Sequence, residues 1–359
     1  MTACSDVEAV VLVGGQGTRL RPLTLSAAKP MLPTAGVPFL AHQLSRLRAI
    51  GIRRVALGTS YRASTFSDHF GDGSALGMNI AYVVEDAPLG TGGAIRNVLD
   101  RLTAPTILVL NGDILSGVDL QALLDQHRSR QADVTLHLVR VPDARAFGCV
   151  LTDPDGRVRS FVEKSDTPAT DQINAGCYVF RRDIIQTIPA DTVVSVERET
   201  FPGLVGSGAR VFGHVDTTYW LDLGTPAAFV QGSADLVRGL APTSALPGPV
   251  GDSLRLEGAM VAVGSAVTGG TTLGRGVRVG ADATVDGSVI FDGARIGDGA
   301  RVIRSAVGHH AVIGRNVVLI DAVIGDGAVI GDNCELPADA RVWPGVTVPA
   351  GSTQTPVAL

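Results

Sequence analysis

The chain has 359 residues, 45% of them hydrophobic and 18% charged, with a formal net charge of −5; this length predicts two domains rather than one ordinary core. The composition is that of a soluble globular protein. Its acidic balance excludes a nucleic-acid coat but leaves local phosphate binding open, because that depends on where cations are placed. Cys4, Cys149, Cys177 and Cys334 have no paired spacing, and the N-terminus carries neither a basic head nor a long apolar segment. The expectation is a cytoplasmic protein with free thiols and no membrane partner.

The first element is an apolar run, Val10 to Val13, which ends abruptly in Gly14, Gly15 and Gly17 and is followed by Arg19, Arg21 and Lys29. Glycines allow positive φ and bring backbone N–H groups close to an anion, while the basic side chains supply charge. The stretch therefore reads as a phosphate cradle. It lacks the Walker spacing and has only the first half of a dinucleotide fingerprint. Pro22, Pro30 and Pro33 forbid a long helix directly behind it.

Further strands are predicted over residues 55–58, 80–84, 106–110, 134–139, 158–162 and 177–180, alternating with amphipathic segments to residue 240. This is the pattern of an α/β domain with a mainly parallel sheet. A helix is predicted from about Val37, with Pro38 in its first turn, and a second carries Leu120, Leu123, Leu124 and His127 on one face. His127 reads as structural. Thr225-Pro226 predicts the cap and first turn of a last helix through about Val237.

Residues 241–252 form a Pro- and Gly-punctuated linker. Beyond it, aliphatic residues recur every six positions from Val261 to Val285, and the register then slips so that Ser288-Val289-Ile290, Ser305-Ala306-Val307 and Ala322-Val323-Ile324 repeat every 17 residues. A hexapeptide repeat predicts a three-sided parallel β-helix over residues 253–359, and resemblance to the hexapeptide-repeat family implies left-handed coils. Such a domain has flat faces and an open end. We expect a homo-oligomer built through it, with Trp343 as a candidate contact, and expect removal of everything after Pro249 to change assembly or stability before chemistry.

Asp113 closes the apolar run before it and so lies at the carboxyl end of a strand, where open α/β sheets bind ligands. The whole string from Gly14 to Lys29-Pro30, then Asn111-Gly112-Asp113, Glu163-Lys164, Asn174-Ala175-Gly176 and Trp220-Leu221-Asp222, resembles in order the motifs of the sugar-1-phosphate nucleotidyltransferases. That resemblance implies a Rossmann-like catalytic domain over residues 1–240. It implies that Leu12, Gly14, Gly15, Gly17 and Thr18 bind nucleotide, that Arg19 and Lys29 act on its phosphates, and that Asp113 and Asp222 hold Mg²⁺, which needs few protein ligands. It further implies that Gly148 contacts the sugar phosphate through its backbone, that Glu163 and Asn174 hold sugar hydroxyls, and that Lys164 binds the attacking phosphate. Strand alternation would send Glu163 and Lys164 to opposite faces unless the strand ends there, and Ser165-Asp166-Thr167-Pro168 favours an ending.

Residues 85–93, including Glu85, Asp113's expected co-ligand of the nucleotide, and Gly90, are similar to the base-recognition segment of the GDP-mannose pyrophosphorylases within that family, as is Ser195-Val196-Glu197-Arg198-Glu199-Thr200-Phe201-Pro202. The resemblance implies GTP and mannose 1-phosphate as substrates. The alternatives are the same reaction with glucose 1-phosphate and UTP or dTTP, a non-catalytic GDP-mannose sensor, and an acyltransferase using His309 or His310.

Overall fold

A computed structural model of the chain describes residues 6–59 and 62–354. Cys4 lies outside the described residues; Cys149, Cys177 and Cys334 are free and buried. The chain forms two compact units, and they do not follow chain order: residues 1–15 and 46–220 make one, residues 16–45 and 221–359 the other.

The first unit is built on a nine-stranded mixed sheet. Its strands are β1 (Val7–Leu12), β2 (Arg54–Thr59), β3 (Asn79–Val84), β4 (Thr106–Asn111), β5 (Val134–Arg140), β6 (Cys149–Thr152), β7 (Val158–Val162), β8 (Gln172–Arg181) and β9 (Val211–Val215). The order runs β7-β6-β8-β4-β1-β2-β3, and β5 pairs with both β8 and β9. The block β4-β1-β2-β3 is parallel, whereas β8 runs antiparallel to β4 and β5. β1 and β4 are apolar throughout their middles because they are covered on both faces; Ala9, Val10, Val11, Leu108 and Val109 are fully buried. β6 and β9 escaped the apolar-run reading because they are short and their outward residues are polar or exposed, as Leu151 and Val215 are.

The helix predicted from Val37 begins instead at Phe39 (α1, Phe39–Ala49). Val37 and Pro38 pair with Thr34 and Pro33 in a short antiparallel ribbon, because Ala35 and Gly36 turn the chain with φ of 48° and 83°. The helix Leu120–Ser129 (α2) forms as expected, with Asp119 capping the N–H groups of Gln121 and Ala122. His127 is buried and its Nδ1 lies 2.9 Å from Thr135 Oγ1, a structural place. The last helix (α3, Pro226–Val237) starts on Thr225, whose hydroxyl accepts from the Ala228 N–H.

In the second unit the repeats wind into a left-handed parallel β-helix with three sheets, of six, six and four short strands. The inward row is the predicted one: Val267, Leu273, Val279, Val285, Ile290, Ile296, Val302 and their successors to Val348 form one continuous core. Corner aspartates explain the Gly-Asp units, since Asp292, Asp298, Asp326 and Asp332 each accept from a backbone N–H 17 residues earlier. The corner where the register slips carries a hydroxyl ladder, in which Thr271, Ser288 and Ser305 each accept from the N–H one coil later.

Residues 16–45 and 221–240, which the sequence division at residue 240 put with the first domain, belong to this unit because of where their apolar side chains go. Leu20, Leu23, Leu32, Phe229 and Val230 share a core with Val289, Phe291, Ala306 and Val323 of the repeats. Each leucine buried this way contributes about 1.5–3 kcal/mol. Removal of everything after Pro249 would therefore take away the apolar bed on which Leu20, Leu23 and Leu32 lie.

Candidate active site

The sheet of the first unit ends its central strands side by side, and the chain uses these ends. Leu12, the last residue of β1, accepts from the Gly112 N–H at 2.9 Å. A side chain at Gly112 would collide with that same Leu12 carbonyl, so only glycine permits the turn Asn111-Gly112-Asp113 to lie against β1. Asp113 is thereby delivered, half-buried, to the carboxyl end of the parallel block.

β8 brings the next motif to the same place. Its pairing with β5 is interrupted between Asn174 and Tyr178, where Gly176 has φ 74°, and such a bulge re-aims side chains. A Cβ at Gly176 would lie 2.9 Å from the Asn111 amide nitrogen, so Asn174-Ala175-Gly176 packs directly on the Asn-Gly-Asp turn. Asn174 is held by two bonds: its amide donates to Tyr178 Oη at 2.8 Å, and its oxygen accepts from the Gly176 N–H at 3.1 Å. Trp220 clamps the bulge from outside, donating from Nε1 to Ala175 O at 3.0 Å and packing edge-on against Phe147 at 5.5 Å.

The Glu163-Lys164 pair adjoins this bulge. β7 ends at Val162, and Lys164 beyond it takes φ 34°, a left-handed conformation uncommon for any residue but glycine. The strand's end thus removes the alternation that would have separated the two side chains, and Lys164 Nζ lies 4.0 Å from Glu163 Oε1. Gly148 stands immediately beneath the carboxylate: a Cβ there would meet Glu163 Oε2 at 2.7 Å. The Gly148 carbonyl accepts from the Asn174 N–H at 2.8 Å, which ties Gly148, Glu163-Lys164 and Asn174 into one wall. Burial first, and the neighbouring Glu197 second, push the Glu163 carboxyl above its ordinary range.

Glu197 itself was not assigned a role by sequence reasoning. Residues 196–200 form a wide π-type turn, a feature frequent at functional sites, and Glu197 accepts from Thr91 Oγ1 at 2.6 Å and Ser195 Oγ at 2.9 Å. Thr91 also accepts from the Val196 N–H. The glycines of residues 90–93 permit this docking: a Cβ at Gly90 would lie 2.6 Å from Val194 O. Glu85, at the head of the same segment, accepts weakly from the Leu89 N–H at 3.3 Å, and burial raises its pKa. The two segments that looked alike in origin are thus physically one platform.

Residues 16–45 belong to the second unit. Residues 18–31 fold as three short 3₁₀ turns, as the prolines require. Gly17 has φ 60° and a Cβ there would press on Lys29 Cβ and Thr24 Cγ2 at 3.0 Å, whereas a Cβ at Gly15 would meet nothing within 4 Å. Gly17 therefore folds the loop onto Lys29, and the backbone at Gly15 is open. Gly14 is half-buried, and Thr18 and Arg19 are exposed. A Cβ at Gly224 would collide with the Arg19 guanidinium and lie 2.9 Å from Asp222 Oδ1, so Arg19 and Asp222 both close on the space that this glycine leaves. His309 packs on Phe291 at 5.0 Å, and His310 turns a corner with φ 56°; both have structural places in the coil.

The family model described as Nucleotidyl transferase matches residues 8–239, and that described as GlmU-like, C-terminal hexapeptide matches residues 247–348. The chain is 61% identical over 268 residues to the mannose-1-phosphate guanylyltransferase of Mycobacterium tuberculosis, covering 74% of this chain and 75% of that protein. It is 32% identical over 271 residues to mannose-1-phosphate guanylyltransferase 1 of Arabidopsis thaliana, covering 73% and 74%. Among solved structures it is similar to HddC from Yersinia pseudotuberculosis complexed with GMP-PN, with 30% identity, a TM-score of 0.56 and coverage of 64% of this chain and 99% of that one. On these matches and the fold that carries them, the chain belongs to the nucleotidyl transferase family.

Proposed function

We infer that the chain transfers GMP from GTP to mannose 1-phosphate, giving GDP-mannose and pyrophosphate. The observation that carries the reading is the wall formed by Gly148, Glu163, Lys164 and Asn174 beside the Asn111-Gly112-Asp113 turn: hydroxyl acceptors and one cation gathered at the sheet end. The choice of substrates is supported by the 61% identical relative, which bears the name of that activity.

A phosphate monoester has a second pKa of about 6, so mannose 1-phosphate reaches the site with an ionised oxygen and needs no general base. That oxygen forms a bond to the α-phosphorus of GTP as the bond from this phosphorus to the bridging oxygen breaks, and the electron pair leaves with pyrophosphate. The protein must offset repulsion between two polyanions and hold them in line. We assign Lys164 to the attacking phosphate, and Arg19 and Lys29 to the triphosphate and the departing pyrophosphate. Leu12, Gly14, Gly15, Gly17 and Thr18 line the nucleotide through backbone. Glu85 accepts from the guanine N–H donors, with Gly90 shaping that platform. Glu163 and Asn174 accept sugar hydroxyls, and Glu197, facing Glu163, joins them.

Asp113 and Asp222 are hard carboxylates, both partly open to solvent, and this donor chemistry fits Mg²⁺ shared with phosphate oxygens and water. Held by such carboxylates, the ion would offset charge on the nucleotide phosphates. We place the enzyme in the cytoplasm, a reading supported by the free thiols of Cys149, Cys177 and Cys334; no helix among the described residues is long and apolar enough to cross a membrane. We also propose a homo-oligomer through the β-helix, supported by exposed apolar Met260 and Val312 on one face, with Trp343 as a further contact; a monomer in sedimentation of the full chain would contradict it. The reaction is tested by ³¹P NMR of the chain with GTP, mannose 1-phosphate and Mg²⁺: a pyrophosphate resonance and a new diphosphate diester pair are expected, and release of orthophosphate alone contradicts the transfer.

A further inference from the structure

Neighbouring residues of a strand point to opposite faces, so each inward residue of the β-helix has an outward companion. On one six-stranded face the outward companions pair in register as Met260, Arg278, Arg295, Val312, Val329 and Thr347, and Arg278 and Arg295 are exposed. That row sets exposed cations between the exposed apolar side chains of Met260 and Val312. On the other six-stranded face the row is Thr272, Val289, Ala306, Val323 and Arg341, and its first four members are at most 2% exposed. An outward row of this kind makes physical sense only under a cover, and the cover is shared by the phosphate loop and α3: Leu20, Leu23 and Leu32, with Phe229 and Val230, pack on Val289, Ala306 and Val323, and Ser233 lies over Thr272.

The row ends in a change of chemistry. Arg341 Nη1 donates to the carbonyl of Arg19 at 3.0 Å and to that of Arg21 at 2.8 Å. These carbonyls lie where the first 3₁₀ turn gives way to extended backbone at Arg21, with ψ 138°, and backbone groups at such a break need partners from outside the turn. A cationic donor supplies stronger bonds than a neutral one. It binds the carbonyls of the two residues on either side of Leu20, whose side chain is already fixed in the core below, so the loop is held by its apolar side chains and by its carbonyls at once.

We propose that Arg341 is a positioning residue for the phosphate loop: from the last stretch of the β-helix it fixes the backbone that aims the Arg19 guanidinium, without touching substrate itself. The inference rests on the assignment of Arg19 to the triphosphate. On this account the repeats are a working part of the nucleotide site.

The test compares Arg341→Met, which keeps the stem, Arg341→Lys, which keeps a donor, Arg19→Ala and the double variant Arg19→Ala with Arg341→Met, all in the full chain. Pyrophosphate release is followed with varied GTP, and separately with varied mannose 1-phosphate. Misaiming a group by an ångström costs on the order of 100-fold, so Arg341→Met is expected to lower kcat/KM for GTP by roughly 10–100-fold. KM for mannose 1-phosphate should be unchanged, Arg341→Lys should recover much of the loss, and the effect should vanish in the Arg19→Ala background. Should Arg341→Met fail to fold, Arg341→Lys carries the test through a smaller loss confined to GTP. Full activity of Arg341→Met beside an impaired Arg19→Ala overturns the role of Arg341 and leaves the assignment of Arg19 standing. An equally large loss in the Arg19→Ala background also overturns it. Full activity of Arg19→Ala removes the assignment of the loop itself.

Discussion

Gly148→Ala is a test in which a single methyl probes the sugar-phosphate wall. The φ of Gly148 lies outside the left-handed region, so alanine is allowed by the backbone and the whole effect comes from space. The new Cβ would lie 2.7 Å from Glu163 Oε2 and 3.0 Å from two ring carbons of Phe161. Ordinary contact begins at about 3.5 Å, so relief needs about 0.8 Å at the carboxylate and about 0.5 Å at the ring. The ring is 6% exposed and packed 5.2 Å from the Phe201 ring, whereas Glu163 is the free end of a flexible side chain. Glu163 therefore moves. Overpacking of this kind costs about 1–3 kcal/mol, and displacement of a substrate-positioning group approaching an ångström costs up to about 100-fold. Steady-state pyrophosphate release should show KM for mannose 1-phosphate raised roughly 10–100-fold with GTP affinity by calorimetry unchanged. An unaltered KM in a folded Gly148→Ala variant would refute the placement of sugar hydroxyls at Glu163.

Lys164→Ala should weaken mannose 1-phosphate far more than GTP, and equal losses for both in direct titration would contradict its assignment to the attacking phosphate. Asp113→Ala and Asp222→Ala should each abolish Mg²⁺-dependent turnover while melting as the parent does in EDTA; either variant keeping near-normal activity at limiting Mg²⁺ leaves the metal site. Glu163 carries a pH signature. Because burial and Glu197 raise its pKa in the fold, the folded chain binds more protons than the unfolded one between the two values, and its contribution to stability falls as pH rises through that window. Glu163→Gln should therefore melt higher than the parent at pH 7, with the advantage gone at a pH below both values, and yet handle mannose 1-phosphate worse; a lower melting temperature at pH 7 would contradict the electrostatic account.

The fold was legible wherever a period ran long enough. Sixteen inward aliphatic positions from Val261 to Val348 could be read from spacing alone, and all lie in or against the coil's core. Thr225-Pro226 gave the start of the last helix to the residue because a hydroxyl cap and a proline in the first turn act locally. The start of α1 was misplaced for the opposite reason: Pro38 suits a helix's first turn, but the turn at Ala35-Gly36 and the ribbon it closes depend on pairing that no helical pattern encodes.

At the site, residue types and order pointed to the right chemistry, but the arrangement that joins them was hidden. Nothing in Asn174-Ala175-Gly176 announces a bulge, and nothing in Gly148 announces that it lies under Glu163; both follow from register across β8, β6 and β7. Glu197 had a signal, the run Ser195-Val196-Glu197-Arg198-Glu199 before Thr200-Phe201-Pro202, whereas its partner Thr91 is 106 residues away. Arg341 had none, since it becomes meaningful only when the outward row it terminates is seen to be apolar and covered.

The most direct measurement is kcat/KM for pyrophosphate release across a panel of GTP, UTP, dTTP, ATP and CTP, each with mannose 1-phosphate, glucose 1-phosphate and galactose 1-phosphate. The account predicts GTP with mannose 1-phosphate to exceed every other pair by about 100-fold or more, since a site built to bond a donor or acceptor rejects a substrate that leaves it unpaired. A higher value for a glucose 1-phosphate pair with UTP or dTTP, or no turnover with any pair, would contradict it.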